Sequence, residues 1–170
     1  MTLRRAEISD ASSIAVLSIE VWVGTYLKLG VARFFADYVL DTFTTKATES
    51  LLRNPMQHIL VSENEEGIVG VVRVTSDSAA PVEGCSRMEI STLYVRPRHH
   101  GTGIGQHLLQ AAFTHCRAAG AADVWLTTNA QNAPAIAFYL ALGFEQIGEA
   151  HFVIEDQGYL NNVYAYRFEG

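Results

Sequence analysis

Residues 87–106 read Arg-Met-Glu-Ile-Ser-Thr-Leu-Tyr-Val-Arg-Pro-Arg-His-His-Gly-Thr-Gly-Ile-Gly-Gln, and this stretch constrains the fold more than any other. A β-branched and aromatic run, Met88 to Val95, stops just before a proline, and glycines then recur at 101, 103 and 105. A helical pattern follows at once from Gly103 to Ala119, with Ile104, Leu108, Leu109, Ala112 and Cys116 on one face and Gly120 as its stop. A strand feeding a helix through a glycine loop points free backbone N–H groups and the positive end of a helix dipole at one spot, which suits a phosphate. Arg96, Arg98, His99 and His100 make the approach cationic, with no acid among them.

Around this junction the periodicity predicts a mixed order of elements. Thr2 to Ala6 reads as a short strand, and Ser9 is placed to cap a helix from Asp10 to about Leu27 that carries Ile14, Leu17 and Val21 at helical spacing. Helical segments are expected over 31–40 and 46–52, the latter closed by Asn54-Pro55. A hairpin joins His58–Glu63 to Ile68–Ser76 through Asn64-Glu65-Glu66-Gly67. Beyond the Met88–Val95 strand and its helix, Asp123–Thr128 reads as a strand and Ala133–Leu142 as a helix with Pro134 in its first turn and Gly143 at its end. Phe144–Ile154 then pairs with Val163–Phe168 across a turn at 156–158. Strands arranged around two βα crossovers, without repeat or linker, predict one α/β (α+β) domain over 1–170, a mixed sheet flanked by helices.

Composition narrows the function classes. With 170 residues, 49% hydrophobic and 18% charged, the chain can bury one good core, which argues against disorder. Twelve basic and eighteen acidic side chains leave a net charge of −6, which argues against general nucleic-acid binding and suits a cationic substrate such as an amine. Cys85 and Cys116 lack Cys-x-x-Cys spacing and fit a reducing compartment, with Cys116 on the apolar helix face as core. No apolar segment follows Arg4-Arg5, and no run reaches the ~18 apolar residues of a membrane span, so no membrane association and a cytoplasmic location are expected. The histidines lack ligand spacing: His99 and His100 are adjacent, and His107 and His115 share a helix without i, i+4 separation, so no metal site is expected.

The loop is not a P-loop, because no Gly-Lys-Ser/Thr follows Gly105, nor a dinucleotide fingerprint, because the glycines are spaced by two. Its spacing resembles the acyl-CoA loop of the GNAT superfamily, the CoA-dependent N-acetyltransferases, in which a strand, Gln/Arg-x-x-Gly-x-Gly/Ala and a helix are followed by a further strand and by Asn and Tyr seven residues apart before Gly-Phe. Here His100-Gly101-Thr102-Gly103-Ile104-Gly105 occupies the loop, Asn132 and Tyr139 stand seven apart, and Gly143-Phe144 closes the segment. A string beginning at Arg98 offers a second register, but counting from Pro97 and from Leu108-Leu109 puts a histidine, His100, where the family usually has Gln or Arg.

The resemblance implies a GNAT-like mixed, mostly antiparallel twisted sheet with splayed central parallel strands. It also implies acetyl-CoA as co-substrate, no metal, and acetyl transfer to a primary amine by direct attack in a ternary complex. By the same resemblance, Gly101 to Gln106 hold the pyrophosphate through backbone amides, Leu93, Tyr94 and Val95 line the pantetheine arm and supply an oxyanion donor, and Asn132 contacts the arm. Tyr139 protonates the departing thiolate, as a phenol near pKa ~10 can, and Glu89 takes the amine proton through water. The first helices wall the acceptor site in this fold, so Trp22 and Tyr26, one turn apart, are candidate acceptor contacts, with core packing as their alternative. Element order, with Glu-Ile-x-x-Leu-Tyr-Val at 89–95 and His151-Phe152-Val153-Ile154 near the end, looks like the Pai-type polyamine (spermidine/spermine) N-acetyltransferases. The partner is then a small-molecule or peptide amine, and a homodimer is expected as for many family members. The alternatives are an N-terminal peptide or aminoglycoside-type acetyltransferase, a CoA-binding module without catalysis, and a purely structural protein.

Overall fold

The computed structural model describes residues 1–169, and its contacts group into two compact units. One comprises residues 1–74 and 92–112; the other comprises 75–91 and the chain from 113 onward. The strand order is β1-β2-β3-β4-β5-β7-β6 in a mixed, mostly antiparallel seven-stranded sheet with flanking helices, as expected. β4 (Glu89–Val95) gives its first half to the second unit and its last half to the first.

In the first unit, β1 (Thr2–Arg5) pairs antiparallel with β2 (Gln57–Asn64), which turns into β3 (Gly67–Thr75). The turn is made by Asn64, whose Oδ1 accepts the N–H groups of Glu66 and Gly67, and Gly67 adopts φ 138°. β3 reads as consecutive valines because both of its faces are covered: Val69, Val71, Val72 and Val74 are all at most 3% exposed. One face belongs to α1 (Ala11–Tyr26), whose Ile14 and Leu17 pack with Ile59, Val61 and Val71, with Tyr94 against the same cluster. On the other face stands α4 (Ile104–Ala118). A Cβ on Gly70 would lie 3.0 Å from Leu108 and 3.1 Å from Ile104, so any side chain there would press on the start of this helix. Leu108 is fully buried, worth ~1.5–3 kcal/mol by area alone, and anchors the helix.

The entry into α1 differs from expectation. Ser9 lies inside a 3₁₀ turn, Ile8–Asp10, and does not cap the helix; the Asp10 carboxylate instead accepts the Glu7 N–H at 2.7 Å while clamped by Arg4. Asp10 thus holds the N-cap position of α1 without a side-chain bond to the helix, its carboxylate closing the 3₁₀ turn that precedes it. α2 (Arg33–Thr42) and α3 (Thr45–Arg53) follow, the latter capped by Thr44, whose Oγ1 accepts from Ala47 at 3.0 Å.

In the second unit, β4 runs parallel to β5 (Asp123–Asn129), with Glu89 opposite Trp125 and the Trp125 N–H donating to Met88 at 3.0 Å. β5 pairs with β7 (Gln157–Arg167), which pairs with β6 (Glu145–Ile154). β7 starts six residues earlier than the sequence pattern indicated. The turn is Glu155-Asp156, with Glu155 at φ 55°, and 157–162 are already laddered to β6 although their side chains are largely polar and not buried. α5 (Ala133–Ala141) lies between β5 and β6. The core is aromatic: Phe113 stacks on Tyr166 at 4.6 Å and meets Phe144 and Phe168, with the Arg117 guanidinium 4.8 Å from the Phe168 ring centre. Among the described residues no helix is long and apolar enough to cross a membrane.

Candidate functional site

The glycine loop of the first unit starts where β4 ends. The Arg96 N–H donates to Val69 at 2.9 Å, and Pro97–His99 form a 3₁₀ turn. Gly101 and Gly103 follow with φ 77° and 88°, and nothing lies within 4 Å of where their Cβ atoms would be. Glycine is needed here for backbone conformation, not for space. The first helical bond runs from the His107 N–H to Gly103 at 3.0 Å, so Ile104, Gly105 and Gln106 offer N–H groups with no helical acceptor. Residues 101–103 and Gln106 are exposed. Adjacent donors at the positive end of a fifteen-residue helix, on an open glycine backbone, fit a phosphate or diphosphate group.

Two expectations for this loop change. Arg96 is not a free cation: its guanidinium pairs with Glu20 of α1 at 3.1 Å. That acid is 76 residues away in sequence, which is why local composition hid it. His100 turns back on the strand, with Nε2 2.8 Å from the Val95 carbonyl oxygen, so it braces the end of β4. Arg98 remains as the exposed cation of the loop. Thr102 donates to the His99 carbonyl, closing the turn from within.

Leu93 and Val95 are half-buried near the end of β4, and the Tyr94 side chain packs toward α1. Burial pushes the Tyr94 phenol up to about 12, with Tyr26 and Tyr38 adding to the rise and Arg73 opposing it. Trp22 is buried, its ring 4.6 Å from Tyr26, 5.3 Å from Tyr38 and 5.7 Å from Phe35. Of the candidate acceptor pair, Trp22 is therefore the packed member and Tyr26 the exposed one.

In the second unit, Glu89 sits within a hydroxyl network that sequence reasoning missed. Its Oε1 accepts from Ser78 and Ser91, each at 3.0 Å, and Ser91 is hydrogen-bonded to Thr75. The loop carrying Ser78 is fixed independently, because Ser78 O accepts from the Trp125 indole and the Asp123 carboxylate accepts the Ser86 N–H. A serine in a small-residue loop and another on a strand give no periodic signal, so only the folded chain shows that they orient a carboxylate.

Tyr139 is 9% exposed, with its ring 5.3 Å from those of Phe138 and Phe144. Phe138 is only half-buried, while Tyr139 beside it packs on Phe144. Asn132 is not on a shared helix face with Tyr139: it is the N-cap of α5, at ψ 74°, and its Oδ1 accepts from Ala135 at 3.3 Å. The seven-residue spacing therefore runs from a cap to the second helical turn. Cys85 and Cys116 have thiols raised by burial, Cys116 to about 11, which makes neither a nucleophile.

A family model described as the acetyltransferase (GNAT) family matches residues 23–144. The chain is 28% identical over 124 residues to human N-acetyltransferase 8, covering 71% of this chain and 52% of the relative. It is 26% identical over 146 residues to an uncharacterized N-acetyltransferase of Mycobacterium bovis, covering 85% and 89%. It thus spans about half the length of the human relative and most of the mycobacterial one. Among solved structures, a PaiA N-acetyltransferase from Thermoplasma acidophilum in complex with coenzyme A has the same fold, with TM-score 0.78, 16% identity and 98% of both chains covered.

Proposed function

The chain belongs to the acetyltransferase (GNAT) family, and from that premise we propose that it moves an acetyl group from acetyl-CoA to a primary amine by direct attack. The observation that carries this reading is the Gly101–Gln106 segment: positive-φ glycines and unshared N–H donors at the head of α4, inside the region matched by the family model. Acetyl-CoA supplies the activated thioester. The amides of Ile104, Gly105 and Gln106 would hold its diphosphate, and the exposed Arg98 would add long-range attraction.

Glu89 would take the proton of the acceptor ammonium through a water, with Ser78 and Ser91 fixing the carboxylate's direction. The freed amine nitrogen would then form the C–N bond as the C–S bond breaks, its second proton leaving through water to replace the one lost by Tyr139. A backbone N–H at the end of β4, near Leu93 or Tyr94, would stabilise charge on the carbonyl oxygen. Tyr139 would give its phenolic proton to the leaving sulfur. Asn132, already spent in part on capping α5, would contact the arm through its remaining amide donors. The fold likeness to a PaiA enzyme makes polyamines one arm of the acceptor panel.

The test is thiol release from acetyl-CoA across polyamines, aminoglycosides, peptides with free N-termini and amino acids. Amine-dependent release supports the reading. Release no faster than spontaneous hydrolysis across the whole panel, together with tight acetyl-CoA binding, would replace it with a CoA-binding module.

A further inference from the structure

The two oxygens of the Glu89 carboxylate are not equivalent. Oε1 accepts the Ser78 and Ser91 hydroxyls, each at 3.0 Å, and these donors fill the roughly two lone-pair sites that one carboxylate oxygen offers. Among the described residues Oε2 accepts no hydrogen bond. Asp10, a carboxylate with a structural task in the same chain, spends both oxygens on Arg4. Glu89 keeps one back.

The hydroxyls around Oε1 have a fixed polarity. A carboxylate has no proton to give, so Ser91 donates its only hydroxyl proton to Oε1. The Thr75 hydroxyl, hydrogen-bonded to Ser91 Oγ, is then the donor in that bond. Thr75 is the last residue of β3 and Ser91 lies on β4, so a chain of donations runs from one strand through the next to the carboxylate, each strengthening the one after it. Ser78 reaches the same oxygen from the loop between those strands, and the backbone is pinned at this residue. Its N–H donates to the Arg87 carbonyl at 2.7 Å, and its own carbonyl accepts the Trp125 indole at 3.2 Å. Three half-buried hydroxyls on three segments of the second unit thus hold one oxygen and leave the other without a donor.

We propose that Glu89 Oε2 is the atom that takes the proton of the acceptor ammonium, and that Thr75, acting through Ser91, is a positioning residue for it. The proposal rests on the acetyl-transfer reading for its reaction. In this step an ammonium N–H bond breaks, the proton passes through one water, and an Oε2–H bond forms. The amine and Glu89 are then both neutral, and Glu89 returns the proton to solvent before the next turnover. The two oxygens make opposite predictions. With Oε1 as the base, its hydroxyl donors would compete with the incoming proton, and removing one should raise turnover. With Oε2 as the base, the same donors aim the carboxylate, and removing one should lower turnover.

Thr75→Val should lower kcat roughly threefold or more and leave the KM for acetyl-CoA within about twofold, whereas Thr75→Ser, which keeps the hydroxyl, should restore kcat. Added to Ser91→Ala, Thr75→Val should cause no further fall, because the chain is already cut. Melting curves confirm that each variant folds, and Thr75→Ala takes the place of the valine variant if that one melts early. The carbon resonance of the Glu89 carboxyl, in protein labelled with ¹³C-glutamate and identified by its loss in Glu89→Gln, provides a readout without turnover. It should move in Thr75→Val, stay in place in Thr75→Ser, and not move beyond its Ser91→Ala position in the double variant. An unchanged or raised kcat in Thr75→Val overturns the assignment of Oε2 and Thr75 while leaving acetyl transfer intact. Independent effects of Thr75→Val and Ser91→Ala, or a resonance that Thr75→Val leaves in place, overturn the chain through Ser91. A resonance coupled as expected, in a protein that releases no thiol with any amine, upholds the chain and overturns the transfer reading together with the base assignment.

Discussion

Tyr139 is where packing and chemistry can be separated by one atom. Its ring is held by Phe138 and Phe144, so Tyr139→Phe keeps the contacts and removes only the hydroxyl. If that hydroxyl protonates the leaving sulfur, kcat should drop by roughly 10²-fold or more while the acetyl-CoA dissociation constant stays within about twofold. Steady-state kinetics and calorimetry on the pair of proteins check this, and an unchanged kcat would remove Tyr139 from the mechanism. Ser91→Ala is the complementary change. It deletes one of two donors to Glu89 Oε1 at 3.0 Å, so the carboxylate is misdirected without being lost. Turnover should fall severalfold, and less than in Glu89→Gln. The resemblance to the family pattern pointed to Tyr139 and Glu89. It could not point to Ser78 in its loop or Ser91 on β4, because isolated hydroxyl side chains are common and become informative only through the groups they face.

At the scale of elements, the helix–strand order was legible because period and punctuation agree. Gly120 and Gly143 end α4 and α5 at φ 85° and 102°, and the apolar stripe of α4 is buried from Ile104 to Cys116. The start of α1 was not legible, since Ser9 looks like a cap, while Asp10, which holds the N-cap position, turns its carboxylate back to the Glu7 N–H and to Arg4 from β1. That guanidinium donates to both Asp10 oxygens at 2.8 and 2.9 Å and to both Glu63 oxygens at 2.8 and 3.0 Å. The hydrogen bonds from Arg4 hold both carboxyls below their ordinary range. A lowered folded pKa means that the unfolded chain binds more protons as acid is added. The stabilisation is therefore complete above about pH 5 and is lost as pH falls below about 4. Arg4→Met should lower the melting temperature at neutral pH and flatten its decline between pH 5 and 3; parallel slopes for the two proteins would show that the clamp is not coupled to protonation. Gly70 carries a second lesson of the same kind. As one glycine among valines it looked incidental, yet it sets how closely α4 approaches β3. Gly70→Val should cost about 1–3 kcal/mol by overpacking against Leu108 and Ile104, read as a fall in denaturation midpoint at unchanged slope.

For the molecule as a whole, family membership follows from a pattern spread over residues 23–144, whereas an acceptor site has no such pattern to be read from. The cofactor loop can be tested at this scale through linkage. A ligand that binds only the folded chain stabilises it by about 2.7 kcal/mol at a concentration one hundred times its dissociation constant. In a chain of 170 residues each kcal/mol moves the melting temperature by roughly 2–4 °C, so saturating acetyl-CoA should raise it by about 5–10 °C. CoA should do nearly as well, because the amides of 104–106 would read the diphosphate and not the acetyl group, whereas acetate should do nothing. Gly103→Ala strains a backbone at φ 88°, so it should shrink the shift from both CoA species equally. A shift that acetyl-CoA gives and CoA does not would move recognition from the loop to the acyl end.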